Sequence, residues 1–205
     1  MERLTFVLRL EGDRATGIAA VRALKGAFEA ACGAAQVENF SIWHMEQYLF
    51  GYGERSGGDV HCFDAVFARL PEDVKLVCAP GTMRQMYHDI GVVRADKSLI
   101  RHRVFATKLK PGCAEEYKRR HDGLIAQRGD AVKDGPESNF TIWYGDGHIF
   151  GYCELVRAYD DIEPTPEQKA ASVAWETRQL EIMDWLTDDM NWLTGEDHPP
   201  VERVI

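Results

Sequence analysis

Short runs that alternate between apolar and polar residues are separated along this chain by longer helix-forming stretches, and the pattern occurs twice. Leu4 to Leu10 and Arg103 to Leu109 alternate with the two-residue period of a strand that has one buried face. Ala15 to Cys32 is rich in Ala, and Ala114 to Val132 in Lys, Arg and Glu; both have the composition of helices. Phe40 to Met45 and Phe140 to Tyr144 hold β-branched and aromatic residues and predict strands. Turn positions at Gln47 and at Gly145-Asp146-Gly147 send the chain back as strands from Tyr48 to Glu54 and from Ile149 to Leu155. Helical stretches are predicted over Val60 to Leu70 and Thr82 to Ile90, and over Pro166 to Leu186 in the second half. Asp73 to Cys78 fits a strand or a helix. Val201 to Ile205 fits a short closing strand, with a counterpart near Ser98 to His102.

The repetition extends to residue identity. Glu38-Asn39-Phe40-Ser41-Ile42-Trp43 returns as Ser138-Asn139-Phe140-Thr141-Ile142-Trp143, and Phe50-Gly51-Tyr52-Gly53-Glu54 as Phe150-Gly151-Tyr152-Cys153-Glu154. Arg3 to Leu10 echoes His102 to Leu109 more weakly. One spacing shared by gapless blocks points to a duplicated domain rather than a solenoid. The order β-α-β-β-α-β is the split, ferredoxin-like unit. One such unit leaves a sheet face bare, and two copies can cover each other. The expected fold class is therefore α+β, with tandem ferredoxin-like domains packed as a pseudo-dimeric α+β barrel. The expected domains are 1–95 and 101–205, joined by a linker from Val92 to Leu99; further homodimerisation is left open.

Composition narrows the function classes. Hydrophobic residues at 45% and charged residues at 28% suit two globular domains in a 205-residue chain. A formal net charge of −9 argues against nucleic acid and anionic membrane as partners, since both call for a basic surface. The five cysteines are odd in number and lack C-x-x-C spacing, which predicts reduced thiols and a cytoplasmic setting. Glu2, Arg3 and Arg9 interrupt the N-terminal apolar run, so it reads neither as an export signal nor as a membrane span. No glycine-rich phosphate loop or G-x-S-x-G elbow occurs, and His44-Met45-Glu46 offers two ligands without a third. Neither metal nor cofactor is expected.

The candidate chemistry lies in Glu115-Glu116-Tyr117-Lys118-Arg119-Arg120-His121-Asp122. Tyr117 and His121 are four residues apart and share one helix face with Ala114, Leu124 and Ile125. An imidazole and a phenol projecting toward a sheet can form an acid/base pair, or a hydrogen-bonded core pair. Glu-Glu-Tyr-Lys-Arg-Arg-His, followed by Asn139-Phe140-Thr141-Ile142-Trp143, resembles the L-rhamnose mutarotase family over about residues 101 to 205. The resemblance implies a ferredoxin-like fold that associates through its sheets, a sugar-binding role for Tyr117 and a proton-donor role for His121. It implies a monosaccharide substrate and interconversion of the α and β anomers of a deoxyhexose, such as L-rhamnose or L-fucose, by acid/base ring opening. Phe140 stands where the family has a tyrosine, and Ile182-Met183 where it has paired tryptophans. The expected sugar-contacting set is therefore Phe140, Trp143, Trp175, Ile182, Met183 and Trp185, with Trp192 nearby. In the first copy Gly17 or Ile18 and Val21 or Arg22 fall opposite the Tyr117–His121 pair, so it is expected to lack the site; His44, Tyr48, Tyr87 and His88 are its other candidates. The fold class also serves non-catalytic small-molecule or sugar binders and small monooxygenases.

Overall fold

Two five-stranded antiparallel sheets form the framework of the computed structural model, which describes residues 1–92, 94, 96–129, 135–157, 163–194 and 201–205. The first half runs β1 (Glu2–Leu10), α1 (Arg14–Ala23), α2 (Lys25–Ala34), β2 (Val37–Met45), β3 (Tyr48–Arg55), a 3-10 turn (Val60–Phe63), α3 (Asp64–Phe67) and β4 (Val74–Cys78). Next come β5 (Arg84–Gly91), a 3-10 turn (Lys97–Leu99), β6 (Ile100–Leu109), α4 (Ala114–Arg128), β7 (Glu137–Gly145) and β8 (His148–Val156). The chain ends with α5 (Pro166–Gln179), β9 (Met183–Trp185) and β10 (Glu202–Arg203).

The strand orders are β10-β2-β3-β1-β4 and β5-β7-β8-β6-β9. Removing the outermost β10 and β5 leaves the same split order in both sheets, so each is ferredoxin-like as the repeat implies. Each fifth strand comes from the opposite half of the chain. β5 pairs with β7, and β10 with β2. The compact units are accordingly Met1–Met83 with Pro200–Ile205, and Arg84–Pro199, divided ahead of the expected 92–99 linker.

Several expectations are corrected. Thr82 to Ile90 is largely the strand β5 rather than a helix, because its backbone groups bond to β7. The helix expected over Ala15 to Cys32 is two helices that meet at Leu24. The helix from Pro166 ends at Gln179, since Met183–Trp185 pairs with β6. The closing strand near Val201 joins the first sheet, and Ser98 to His102 leads into the second. Asp73 to Cys78 resolves as β4, and the end of the helix expected to reach Val132 lies outside the described residues. No helix among the described residues is long and apolar enough to cross a membrane, and all five cysteines are unbridged.

The repeated sequence blocks mark a shared backbone device. Between Ser138–Glu154 and Thr141–Tyr152, β7 advances three residues while β8 advances two, which is a one-residue bulge. The same step separates Glu38–Glu54 from Ser41–Tyr52. Asn39 and Asn139 occupy the bulges at φ of 49° and 48°, a left-handed conformation that Asn tolerates better than most residues. Each asparagine amide donates to a buried carboxylate, Asn39 to Glu54 at 3.3 Å and Asn139 to Glu154 at 3.1 Å. The hydroxyls of Tyr52 and Tyr152 donate to the same carboxylates at 3.2 and 3.4 Å. Lys97 binds both oxygens of Glu154 at 2.7 Å.

Gly51 and Gly151 recur because an aromatic ring lies on each. A Cβ at Gly51 would come within 2.2 Å of the Phe6 ring, and at Gly151 within 2.0 Å of the Phe105 ring. By contrast, Gly123 lies inside α4 with open space where a Cβ would sit. Gly151→Ala should lower stability by about 1–3 kcal/mol through overpacking. Gly123→Ala should raise it by about 0.5–1 kcal/mol by removing backbone entropy from the unfolded chain. Urea unfolding midpoints moving in opposite directions check both expectations.

Candidate active site

The second unit holds a cavity of about 410 Å³ between its sheet and its two long helices. From the sheet, β6 contributes Arg103, Phe105 and Thr107 at alternate positions, β5 contributes Tyr87, and Met183 comes from β9. β7 contributes Glu137, Phe140 and Ile142. Residues 137 and 140 would face opposite ways in an unbroken strand; the bulge at Asn139 turns both toward the cavity.

From above, α4 presents Tyr117, His121 and Leu124, and α5 presents Ser172, Trp175, Glu176 and Gln179. The α5 set has the spacing i, i+3, i+4, i+7 of one helical face. That face is polar: Gln179 is buried while Val173 lies 44% exposed. Thr165 starts α5 with a reciprocal capping box to Gln168 at 3.2 and 2.8 Å, and Pro166 fits the first turn. Arg120 joins the two helices. Its guanidinium donates to Glu116 and to Glu181, each at 2.7 Å, and to the carbonyl of Arg178 at the end of α5. A cation there also complements the negative end of the helix.

His121 is 4% exposed and enclosed by rings. Its ring stacks on Tyr117 at 4.2 Å and meets Tyr87 and Trp175 edge-on at 5.5 and 5.2 Å. Nδ1 lies 2.9 Å from the Tyr117 carbonyl. A carbonyl only accepts, so Nδ1 carries the hydrogen and Nε2 of the neutral ring keeps its lone pair. Burial lowers the His121 pKa to about 4. The resting side chain is therefore a neutral imidazole whose Nε2 can accept a proton, rather than the protonated donor that the resemblance implies.

The other polar groups divide by role. Burial holds the Tyr117 phenol well above its usual range and raises Tyr87 to about 12, so both remain hydroxyl donors. Glu176 is raised to about 7 by burial, against the opposing pull of Arg103. Arg103 meets Glu137 at 3.5 Å. Thr107 Oγ1 and both amide atoms of Gln179 are buried without a hydrogen-bond partner among the described residues. Buried polar groups of this kind on a cavity wall are suited to the hydroxyls of a polyol. No group of three or more His, Cys, Asp or Glu that could hold a metal occurs among the described residues.

Of the residues singled out in the sequence, the cavity wall includes His121, Tyr117, Phe140, Trp175 and Met183. Trp143, Ile182 and Trp185 are not part of it. Strand alternation turns Trp143 away from the face shared by Phe140 and Ile142. Ile182 packs in the apolar core, and Trp185 lies against Trp192 at 4.8 Å, while Trp192 itself reaches the cavity. Tyr87, placed in a first-copy site by sequence, belongs to this cavity because β5 joins the second sheet. Asp89 holds β5 to α4 through an ion pair with Arg128 and accepts from Tyr87 at 3.4 Å. Glu176 and Gln179 escape the sequence reading; their spacing from Trp175 is the available signal.

The first unit fills the corresponding space. Phe6, Phe28, Phe40, Phe63 and Phe67 form one aromatic cluster with centroid spacings from 5.1 to 6.4 Å. Gly17, Ile18 and Val21 are buried, and Arg22 pairs with Glu202.

The family model for L-rhamnose mutarotase matches residues 102–204. No curated protein matches the chain. Among solved structures, a candidate monooxygenase from Lactobacillus acidophilus NCFM aligns with 89% of this chain and 90% of its own, at TM-score 0.48 and 9% identity. An anthrone oxidase-like protein aligns with 89% of this chain and 86% of its own, at TM-score 0.45 and 15% identity. Likeness at this level bears on neither substrate nor chemistry.

The environment of His121 predicts a specific acid response. Its folded pKa is depressed, so its contribution to stability is complete above the unfolded value of 6.5 and is lost as pH falls through about 4. Relative to His121→Phe, the wild type should lose on the order of 3 kcal/mol between pH 7 and pH 4. Chemical denaturation of both proteins across that range measures the difference; a constant difference would mean that the ring is solvated.

Proposed function

The chain belongs to the L-rhamnose mutarotase family, and we propose that its second unit interconverts the α and β anomers of a deoxyhexose by acid/base ring opening. The observation that carries this reading is a neutral imidazole, fixed in tautomer by a backbone carbonyl, on the wall of a monosaccharide-sized cavity. At about 410 Å³ the cavity falls within the range of small-molecule sites, roughly 300–1,000 Å³.

In this reading the anomeric hydroxyl loses its proton to His121 Nε2 as the bond from C1 to the ring oxygen breaks and the ring oxygen takes up a proton from a second donor in the cavity. The aldehyde turns about the C1–C2 bond, and the ring closes on its other face with both protons returned. The Tyr117 hydroxyl orients a sugar oxygen. Thr107 and Gln179 supply the polar contacts that fix the sugar's position, and Phe140, Phe105, Trp175 and Trp192 face its apolar edges. L-rhamnose and L-fucose are the substrates to try first. Phe140 has no hydroxyl for a sugar oxygen, so substrate choice rests more heavily on Gln179 and Thr107.

Saturation-transfer NMR on equilibrated L-rhamnose and L-fucose measures anomer exchange directly. The wild type should exceed the uncatalysed rate, and His121→Ala should lose at least about 100-fold, the lower range for a positioned acid/base group. Sugar-dependent thermal stabilisation without exchange would instead identify a binding protein.

A further inference from the structure

Ring opening moves two protons, and one imidazole cannot supply both transfers at once. While the anomeric hydroxyl gives up its proton, the ring oxygen must gain one. His121 enters as a neutral base, so a second group has to enter protonated.

We propose that Glu176 is that second group, donating its carboxyl proton to the ring oxygen while His121 Nε2 accepts from the anomeric hydroxyl. The proposal rests on the mutarotase reading. On opening, the C1–O5 bond breaks as O5 takes the Glu176 proton, and the O1 proton passes to His121 as C1=O forms. The result is an open-chain aldehyde with a C5 hydroxyl, a Glu176 carboxylate and a His121 imidazolium. On closure O5 attacks either face of C1, Glu176 recovers its proton from the C5 hydroxyl, and His121 returns its own to O1. No proton is gained or lost over the cycle.

Geometry supports the assignment. Glu176 immediately follows Trp175, whose ring meets the edge of His121, and Glu176 lies one turn before the buried Gln179 on the same face of α5. Its carboxyl group makes no hydrogen bond or ion pair among the described residues. The charged and titratable groups sharing the cavity with it are Arg103 from β6, Glu137 from β7, Tyr87 from β5, and Tyr117 and His121 from α4. Arg103 holds no transferable proton at neutral pH and is engaged by Glu137. The two phenols are too weakly acidic, since burial raises both. Burial also brings Glu176 to about 7, so a large fraction of it holds a proton at neutral pH. A general acid works best with a pKa near the working pH. The polar inward face of α5, which exposes Val173 while burying Gln179, is what this role calls for.

The test is the pH dependence of anomer exchange from pH 5 to 9, corrected for the uncatalysed rate, for wild type and Glu176→Gln. The wild-type rate should fall on the alkaline side with a midpoint near 7. Glu176→Gln should be slower by about 100-fold or more and should lack that alkaline limb. A second measurement needs no turnover: carboxyl carbon NMR of glutamate-labelled protein should show one resonance titrating near 7 that Glu176→Gln removes. An active wild type whose rate and pH profile survive Glu176→Gln, or a Glu176 resonance titrating near 4.5, overturns the Glu176 assignment alone. A wild type that fails to exchange either sugar at any pH overturns the mutarotase reading itself.

Discussion

The buried carboxylate of Glu154 sets the geometry on which the cavity depends. Removing a carboxylate from water is expensive unless its oxygens are bonded, and here Lys97, Asn139 and Tyr152 all bind it. In binding Glu154, Asn139 holds a left-handed backbone turn in β7. That turn inserts one residue and changes the phase of the strand. Glu137 therefore faces the same space as Phe140, and Arg103 finds a partner on the cavity wall. Without the bulge the wall would lose an acid, and Arg103 would be left as a cation without that neighbour.

The same framework exists twice but is occupied differently. Asn39, Tyr52 and Glu54 reproduce the network, and Phe6 lies on Gly51 as Phe105 lies on Gly151. The difference is in the helices. α2 sends Phe28 down between Phe6 and Phe40, and the space closes as an aromatic core. α4 and α5 instead send down His121, Trp175, Glu176 and Gln179, none of which fills the space with hydrocarbon. The shared repeat thus serves the backbone, whereas the chemistry lies in the helices, where the two copies diverge.

This division explains what can be read from the sequence. The strands of the repeat blocks are legible because period-two alternation and paired motifs reinforce each other. α4 is legible because its charged residues are helix formers and its Tyr117–His121 spacing falls on one face. β5 misleads for a physical reason. Met83, Met86, Tyr87 and Ile90 have helical spacing, yet the strand has a register shift between Gln85 and Tyr87 that breaks the alternation of a regular strand. Trp143 reads as a sugar contact although it is an odd number of residues from Phe140, which strand geometry alone sets on the other face. Glu176 and Gln179 escape notice because a helix is usually read for its apolar stripe, and the stripe that faces inward on α5 is polar.

The exchange of edge strands changes how the cavity responds to dilution. Tyr87 reaches it on β5, a segment that precedes the matched family region, and β10 returns from the far end of the chain to the first sheet. If the same strand were donated by a separate polypeptide, the wall would be complete only at concentrations where the two chains associate. Carried on one polypeptide, it arrives at a fixed local concentration however few molecules are present.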